Sequence, residues 1–252
     1  MDDQIALLLG LLLTHFIADF YLQPMSWVLD RNSRHFKSTK LMLHTLTHAA
    51  LTAVVVMLWE CYFGLGEWLV VISATMVIMV THWLIDVAKS YTRGGIVPFF
   101  IDQIAHIVVI ITVCLYLNEH DPIMQWLTEL TSSSDSYVVL LAYLLVLNPC
   151  SVAIRMLLER WQLPQSSSNS AFGALPQAGH SIGLLERTLM LTFILIDELA
   201  GVGFVLAAKS VFRFGDLTNA KEKHLTEYVM LGTLLSVVFT MAIGLLARFS
   251  LA

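Results

Sequence analysis

Four pairs of potential metal ligands recur in the N-terminal half of the chain, each pair with a spacing of four residues. The pairs are His15 and Asp19, His44 and His48, His82 and Asp86, and Asp102 and His106. On an α-helix, residues four apart lie on the same face, one turn from each other. Imidazole and carboxylate ligands together suit zinc, iron or manganese. The spacing therefore predicts four helices that each present two metal ligands.

The chain that carries these pairs has the composition of an integral membrane protein. Of its 252 residues, 57% are hydrophobic and 13% are charged, against roughly a quarter charged in an ordinary soluble domain. The apolar residues come in runs long enough to cross about 30 Å of hydrocarbon. We expect an all-α, polytopic transmembrane helix bundle of about seven segments, at 4–22, 41–60, 67–88, 98–117, 137–158, 181–208 and 227–248.

Composition also argues against several other classes of protein. The formal net charge of -5 and the lack of a basic stripe argue against a nucleic-acid partner. Cys61, Cys114 and Cys150 are far apart in apolar runs, which argues against a disulfide framework or a thiolate metal site. The start at Met1 lacks a basic n-region and a cleavage site, so we interpret the first run as a retained helix rather than a signal peptide.

Basic residues indicate which connections face the cytoplasm. The first basic connection contains Arg31, Arg34, Lys37 and Lys40, and the second contains Lys89 and Arg93. The positive-inside rule places 23–40 and 89–97 in the cytoplasm and the N-terminus outside. Every ligand pair lies close to one of these two connections. All eight groups are therefore expected in the cytoplasmic half of the membrane, facing one another in the bundle core.

Eight such groups would be unfavourable in a membrane without a partner. An aspartate at the centre of a membrane helix costs about 2.5–3.5 kcal/mol on insertion scales. A divalent transition metal offsets this cost, with zinc favoured over manganese and iron. Eight candidates exceed the about four to six ligands of one ion, so either two ions bind or some side chains orient the ligands. A proton or ion pathway and structural hydrogen bonding are the alternatives.

Each group of polar residues beside the ligand pairs has two alternative roles. The amides of Gln23 and Gln103 would hydrogen-bond a ligand or a bound water, or else meet solvent at helix ends. Lys89, Tyr91 and Arg93 would hold an anionic head group, or else act as interface anchors. The four cations of the 23–40 connection are interpreted as interface anchors.

The rest of the chain is divided by composition. We predict a four-helix metal-binding unit at 1–120, an amphipathic segment with a fifth helix at 121–163, a polar linker at 164–180 and C-terminal helices at 181–252. The segment at 181–208 is either a single crossing or a re-entrant hairpin turning at 197–203. A C-terminal ionic cluster would pair across helix ends or bind a phosphate; its members are Glu186, Arg187, Lys209, Arg213 and Glu227.

Residues 5–117 contain, in this order, the motifs HxxxDFxLQ, HxxxH, HxxxD and DQxxH. They resemble an uncharacterised family of bacterial and phage inner-membrane proteins defined only as a domain of unknown function. The resemblance implies the eight-residue ligand set and a multi-pass location in the bacterial inner membrane, but no reaction. A looser likeness, in the Asp and His pairs alone, is to membrane-bound metal-dependent hydrolases, and it rests on analogy of fold.

We therefore expect a metal-dependent hydrolase acting on a lipid-like or membrane-embedded ester or phosphoester from the cytoplasmic leaflet. Metal-activated water would attack, and Asp19 or Asp102 would take the proton. The alternatives are a divalent metal or proton transporter that uses the same cluster, and a metal-using oxidoreductase. Membrane lipids are the expected partners, nucleic acid is not expected, and a homo-oligomer remains open.

Overall fold

The computed structural model describes residues 3–62, 67–117, 135–159, 175–213 and 223–251. In these ranges the regular structure is helical throughout, which confirms the predicted all-α fold. The helices are α1 (Asp3–Phe20), α2 (Met25–Arg34), α3 (Thr39–Tyr62), α4 (Trp68–Ser90), α5 (Ile96–Leu117), α6 (Asp135–Leu158), α7 (Leu175–Leu195), α8 (Leu199–Arg213) and α9 (Lys223–Leu251).

Among the described residues, five helices are long and apolar enough to cross a membrane, namely α3, α4, α5, α6 and most of α9. A sixth span is counted if α1 and α2, which are bent by 82° relative to each other, are taken together. The expected number was about seven. The difference arises at 181–208, where two helices stand in place of one span.

The chain divides into two compact units, residues 1–141 and 142–250, and each is described by itself. In the first unit α3 packs against α1 and α4, and α5 packs against α4 and α1, so that the four helices surround a common core. Transmembrane helices associate through close packing. A Cβ atom on Gly10 would lie only 3.0 Å from Val55 Cγ1, which shows how closely α1 and α3 approach.

Helix α2 lies within the connection predicted at 23–40. It packs against α3 and α4 after the bend at Pro24, and the short 3₁₀ turn His35–Lys37 follows it. Ser38 caps the next helix, because its Oγ accepts the Leu41 backbone N–H at 2.9 Å and donates to Asp30 Oδ2 at 2.6 Å. The connection is therefore an ordered helical cap on one end of the bundle.

The turn between α4 and α5 depends on two glycines. Gly94 and Gly95 have φ angles of 73° and 101°, a region that residues with a Cβ atom rarely adopt. This short reversal returns the chain antiparallel to α4. It brings the start of α5, with Asp102, beside the end of α4, with Asp86 and Lys89.

In the second unit α7 and α8 form a helical hairpin. The chain reverses at residues 196–198, where Asp197 has a φ of 65°, and Lys209 Nζ lies 2.5 Å from Glu186 Oε2 across the hairpin. A single crossing over 181–208 is therefore wrong, because the helix ends at Leu195. The structure shows a helical hairpin with its turn at 196–198, close to the predicted turn at 197–203, and re-entry into the membrane stays a prediction.

Some predicted segments fall on residues outside the described ranges. These are the predicted amphipathic segment at 121–134 and the linker at 164–174. Helix α7 begins at Leu175, so the last residues of the range predicted as linker are helical.

Candidate metal centre

The bundle of the first unit places the eight predicted ligands at two levels. Helices α1 and α4 run toward the 23–40 and 89–97 connections, and α3 and α5 run away from them. The level farther from these connections, here the imidazole layer, consists of His15, His48, His82 and His106. The nearer level, here the carboxylate layer, consists of Asp19, His44, Asp86 and Asp102. All eight are buried apart from Asp19, whose side chain is 11% exposed.

The imidazole layer is closely packed. The rings of His48 and His82 stack with their centroids 3.7 Å apart, and the His82 and His106 centroids are 4.2 Å apart. His15 closes the group, since its ring centroid lies 5.1 Å from that of His106. One imidazole from each of four helices therefore reaches a common point in the bundle core.

Asp19 joins the two layers. Its Oδ1 lies 2.9 Å from Nε2 of His48 and 3.3 Å from Nε2 of His44. Its Oδ2 lies 3.8 Å from Nε2 of His15. The two carboxylate oxygens thus face different sets of imidazoles, an arrangement suited to a carboxylate that bridges two positions.

Three groups of side chains offer ligand atoms that all lie within 4.8 Å of one another. The first group is His15, Asp19, His48 and His82; the second is His44, His82 and Asp86; the third is Asp19, Asp102 and His106. Together they contain all eight residues singled out in the sequence. Asp19 and His82 each belong to two groups, so the groups form one continuous cluster.

Several ligand-type atoms in the cluster are buried and have no hydrogen-bond partner among the residues that the structure describes. They include Nε2 of His15 and of His106, Oδ2 of Asp86 and Oδ1 of Asp102. Leaving such an atom unsatisfied costs about 1–3 kcal/mol. His106 donates its Nδ1 hydrogen to the backbone carbonyl of Asp102 at 2.9 Å, which leaves the Nε2 lone pair for the cluster. Metal-binding histidines are commonly oriented in this way.

Two cations border the carboxylate layer. Arg31 Nη1 donates to Asp86 Oδ1 at 2.7 Å, and Lys89 Nζ donates to Asp102 Oδ2 at 2.5 Å. Arg31 is only 4% exposed, so its interpretation as an interface anchor is wrong. A weak signal was present in the sequence: Arg31 lies four residues after Trp27 and three after Val28, on the inward face of α2.

The other polar residues beside the ligand pairs differ in burial and in their contacts. Gln103 is buried and donates from Nε2 to Asp19 Oδ2 at 3.0 Å and to Asp102 Oδ2 at 3.1 Å, so it holds two carboxylates together. Gln23 is half-buried in the bend between α1 and α2, and Arg93 is exposed. Tyr91 stacks on the ring of His35, with centroids 4.1 Å apart.

The predicted C-terminal ionic cluster is not one site in the described part of the chain. Glu186 and Lys209 form a pair, whereas Arg187 is buried and donates from Nε to the Val146 carbonyl at 2.8 Å and from Nη2 to Ser151 Oγ at 2.5 Å. The remaining members are Glu227, which is exposed, and Arg213, whose side chain lies outside the described part.

The fold and the cluster define a helical membrane protein with a buried site of five imidazoles and three carboxylates. The chain belongs to the family described as "Protein of unknown function (DUF3307)", whose model matches residues 7–134. That range contains all four ligand pairs. No curated protein and no solved structure gives a significant match to the chain.

Proposed function

We propose that this protein is a metal-dependent hydrolase of the bacterial inner membrane, acting on a lipid-like ester or phosphoester from the cytoplasmic leaflet. The observation that carries the proposal is the set of buried, unpartnered ligand atoms in the cluster, above all Nε2 of His15 and His106 and Oδ1 of Asp102. A divalent cation would satisfy these atoms and neutralise carboxylates that are otherwise unfavourable in a membrane. Zinc is favoured, with manganese and iron as alternatives.

The proposed roles follow from the contacts. The five imidazoles with Asp19 and Asp86 would hold one or two ions, which would supply a metal-bound water as nucleophile. Asp102 is the better candidate for proton acceptor. Lys89 and Gln103 both contact its Oδ2, whereas its Oδ1 has no hydrogen-bond partner in the described part of the chain. Asp19 is better suited to bridging, because its Oδ1 lies near Nε2 of His48 and of His44 and its Oδ2 lies near Nε2 of His15.

A cavity of about 10 Å³, room for about one water molecule, lies beside the imidazole layer. The four imidazoles form one wall, and the side chains farther from the predicted cytoplasmic side form the rest. These include Leu11, Thr14, Ile78, Thr81 and Val109. This space is large enough for a metal-bound water and too small for an acyl chain, so a lipid-like substrate would reach the cluster from outside the cavity.

The contacts on the two sides of the cluster favour an enzyme over a cation transporter. Arg31 and Lys89 stand at the carboxylate layer on the predicted cytoplasmic side, where each occupies a carboxylate oxygen that a cation in transit would otherwise use. Beyond the imidazoles, the buried core contains Leu7, Val56 and Ile110. In the described part of the bundle, an ion leaving the imidazole layer in that direction would meet apolar side chains.

The proposal is tested by supplying the purified protein with a bacterial lipid extract. The metal-loaded wild type is incubated with the extract, and new products are sought by mass spectrometry; His48→Ala should abolish them. His180→Ala is the matched control, because His180 is exposed and lies outside the cluster. If no product forms while sealed vesicles accumulate divalent metal in a His48-dependent manner, the protein is a transporter.

A further inference from the structure

The net charge of the carboxylate layer and its two bordering cations helps to decide between a phosphoester and an acyl ester as the substrate bond. Of the three carboxylates, Asp86 contacts the guanidinium of Arg31 and Asp102 contacts the ammonium of Lys89. The third, Asp19, is joined to Asp102 through the amide of Gln103. The formal sum is one negative charge when the imidazoles are neutral, as metal binding requires. One divalent ion would reverse that sum to one positive charge, and two ions would leave three positive charges.

A net positive charge buried in a membrane bundle is unfavourable unless an anion accompanies it. The cations are held in place rather than supplied by mobile surface residues. Arg31 is 4% exposed and fixed between Asp86 Oδ1 and Asn32 Oδ1, and the Lys89 side chain is 21% exposed and tied to Asp102. The loaded centre is therefore built to receive negative charge.

The donor geometry suits a phosphate group. A guanidinium carries five N–H donors, and the two contacts of Arg31 engage Nε and Nη1, so the same side chain can hold a carboxylate and a phosphate. Arginine is the side chain best matched to planar, two-point recognition of phosphate, and lysine adds a point charge. A neutral acyl ester would leave the excess positive charge without a partner.

Resting on the proposed metal-dependent function, we propose that the substrate is a phosphate-bearing amphiphile, whose phosphate binds beside the metal centre, to N–H donors of Arg31 and Lys89 that their carboxylate contacts do not use. The phosphate enters from the side of the bundle covered by α2. Its apolar part stays in the surrounding lipid. The site therefore acts on a phosphoester rather than on an acyl ester.

The test measures phosphate binding separately from turnover. The full chain is loaded with Mn²⁺, and the ³¹P relaxation of two probes is recorded: inorganic phosphate, and phosphatidic acid in phosphatidylcholine vesicles. Bound Mn²⁺ should shorten the relaxation time of a phosphate held at the centre. A stronger effect on phosphatidic acid identifies a lipid head group as the ligand, and an effect confined to inorganic phosphate overturns the amphiphile.

Variants then assign the binding to the two cations. Arg31→Gln and Lys89→Gln should each weaken phosphate binding roughly 10- to 100-fold, as expected for the loss of a charged hydrogen bond. Arg31→Lys, which keeps the charge, should lose less and guards against a folding defect. Arg34→Gln is the matched control, since Arg34 lies on the same helix with its side chain 64% exposed.

The outcomes separate this inference from the proposed function. Protein that binds Mn²⁺ but does not relax ³¹P in either probe overturns the phosphate site and leaves a metal-dependent enzyme standing. Release of fatty acid from a neutral monoacylglycerol, with no phosphate released from phosphatidic acid, overturns it as well. Failure to bind any metal would instead overturn the proposed function.

Discussion

Arg31 Nη1 lies 2.7 Å from Asp86 Oδ1, and the contact joins two buried side chains that are 55 positions apart in the chain. It connects α2, which turns 82° away from α1, to the helix that carries His82 and Asp86. The pair holds the helical cap over the cluster. It also fixes one oxygen of Asp86 and leaves Oδ2 toward His44 and His82.

Breaking this pair from one side should destabilise the protein strongly. Arg31→Gln leaves a buried carboxylate without its cation, and we expect the free energy of unfolding to fall by about 3–5 kcal/mol. The double variant Arg31→Gln, Asp86→Asn should recover most of that loss, because no charge is left unpaired. Thermal unfolding in detergent with a chelator present measures both. Arg34→Gln should change stability by under about 1 kcal/mol. A double variant as unstable as the single one would contradict this account.

Metal content is expected to follow the cluster. Wild-type protein purified from metal-replete cells should contain one to two transition-metal ions per chain, measured by elemental analysis. His44→Ala or Asp86→Ala should lose most of the metal, because each removes a ligand atom from the His44, His82 and Asp86 group. His180→Ala should retain it. Folded wild-type protein without metal would refute the prediction.

Replacing Asp102 should lower catalytic turnover much more than it lowers metal binding. Asp102→Asn keeps the shape of the side chain and removes its capacity to accept a proton. Turnover should fall by roughly 10²–10⁴-fold while elemental analysis finds the metal content little changed. Asp197→Asn is a control with an exposed carboxylate. Equal activity of Asp102→Asn and wild type would exclude this aspartate as the proton acceptor.

The hairpin of α7 and α8 predicts the sidedness of the second unit. Because the chain reverses at 196–198, Ser210 should lie on the same side of the membrane as the basic end of α6, and Asp197 on the opposite side. Cysteines placed at Ser210 and Asp197 can be labelled with an impermeant maleimide in a Cys61→Ser background, since Cys61 is exposed. Labelling of both positions from one side would exclude a hairpin that crosses the membrane.

Arg187 should stabilise the second unit through the backbone of α6. Pro149 lies inside that helix and cannot donate a backbone hydrogen bond, and Arg187 donates to the carbonyls of Val146 and Leu147 just before it. Arg187→Met removes the donor to the Val146 carbonyl, whereas Ser151 Oγ still donates to the Leu147 carbonyl, so we expect a loss of about 1–3 kcal/mol. Arg187→Lys should fall between, because an ammonium lacks the planar fork. Thermal unfolding of the two variants checks this order.

The sequence by itself determined the class of protein and the members of the cluster. Apolar runs of membrane length and ligand pairs at a spacing of four are local properties, because one helical turn decides which side chains share a face. Successive connections lie on opposite sides of the membrane, so successive helices run antiparallel. For this reason all eight cluster residues could be named before their contacts were known.

Only the tertiary structure decided what surrounds the cluster. In the sequence, only the spacing from Trp27 and Val28 distinguishes Arg31 from Arg34, and the bend between α1 and α2 is what turns Arg31 inward onto Asp86. Likewise, the apolar run at 181–208 is compatible with one span or with a hairpin, and the positive φ of Asp197 selects the hairpin. Such outcomes depend on contacts between residues far apart in the chain, which local periodicity does not encode.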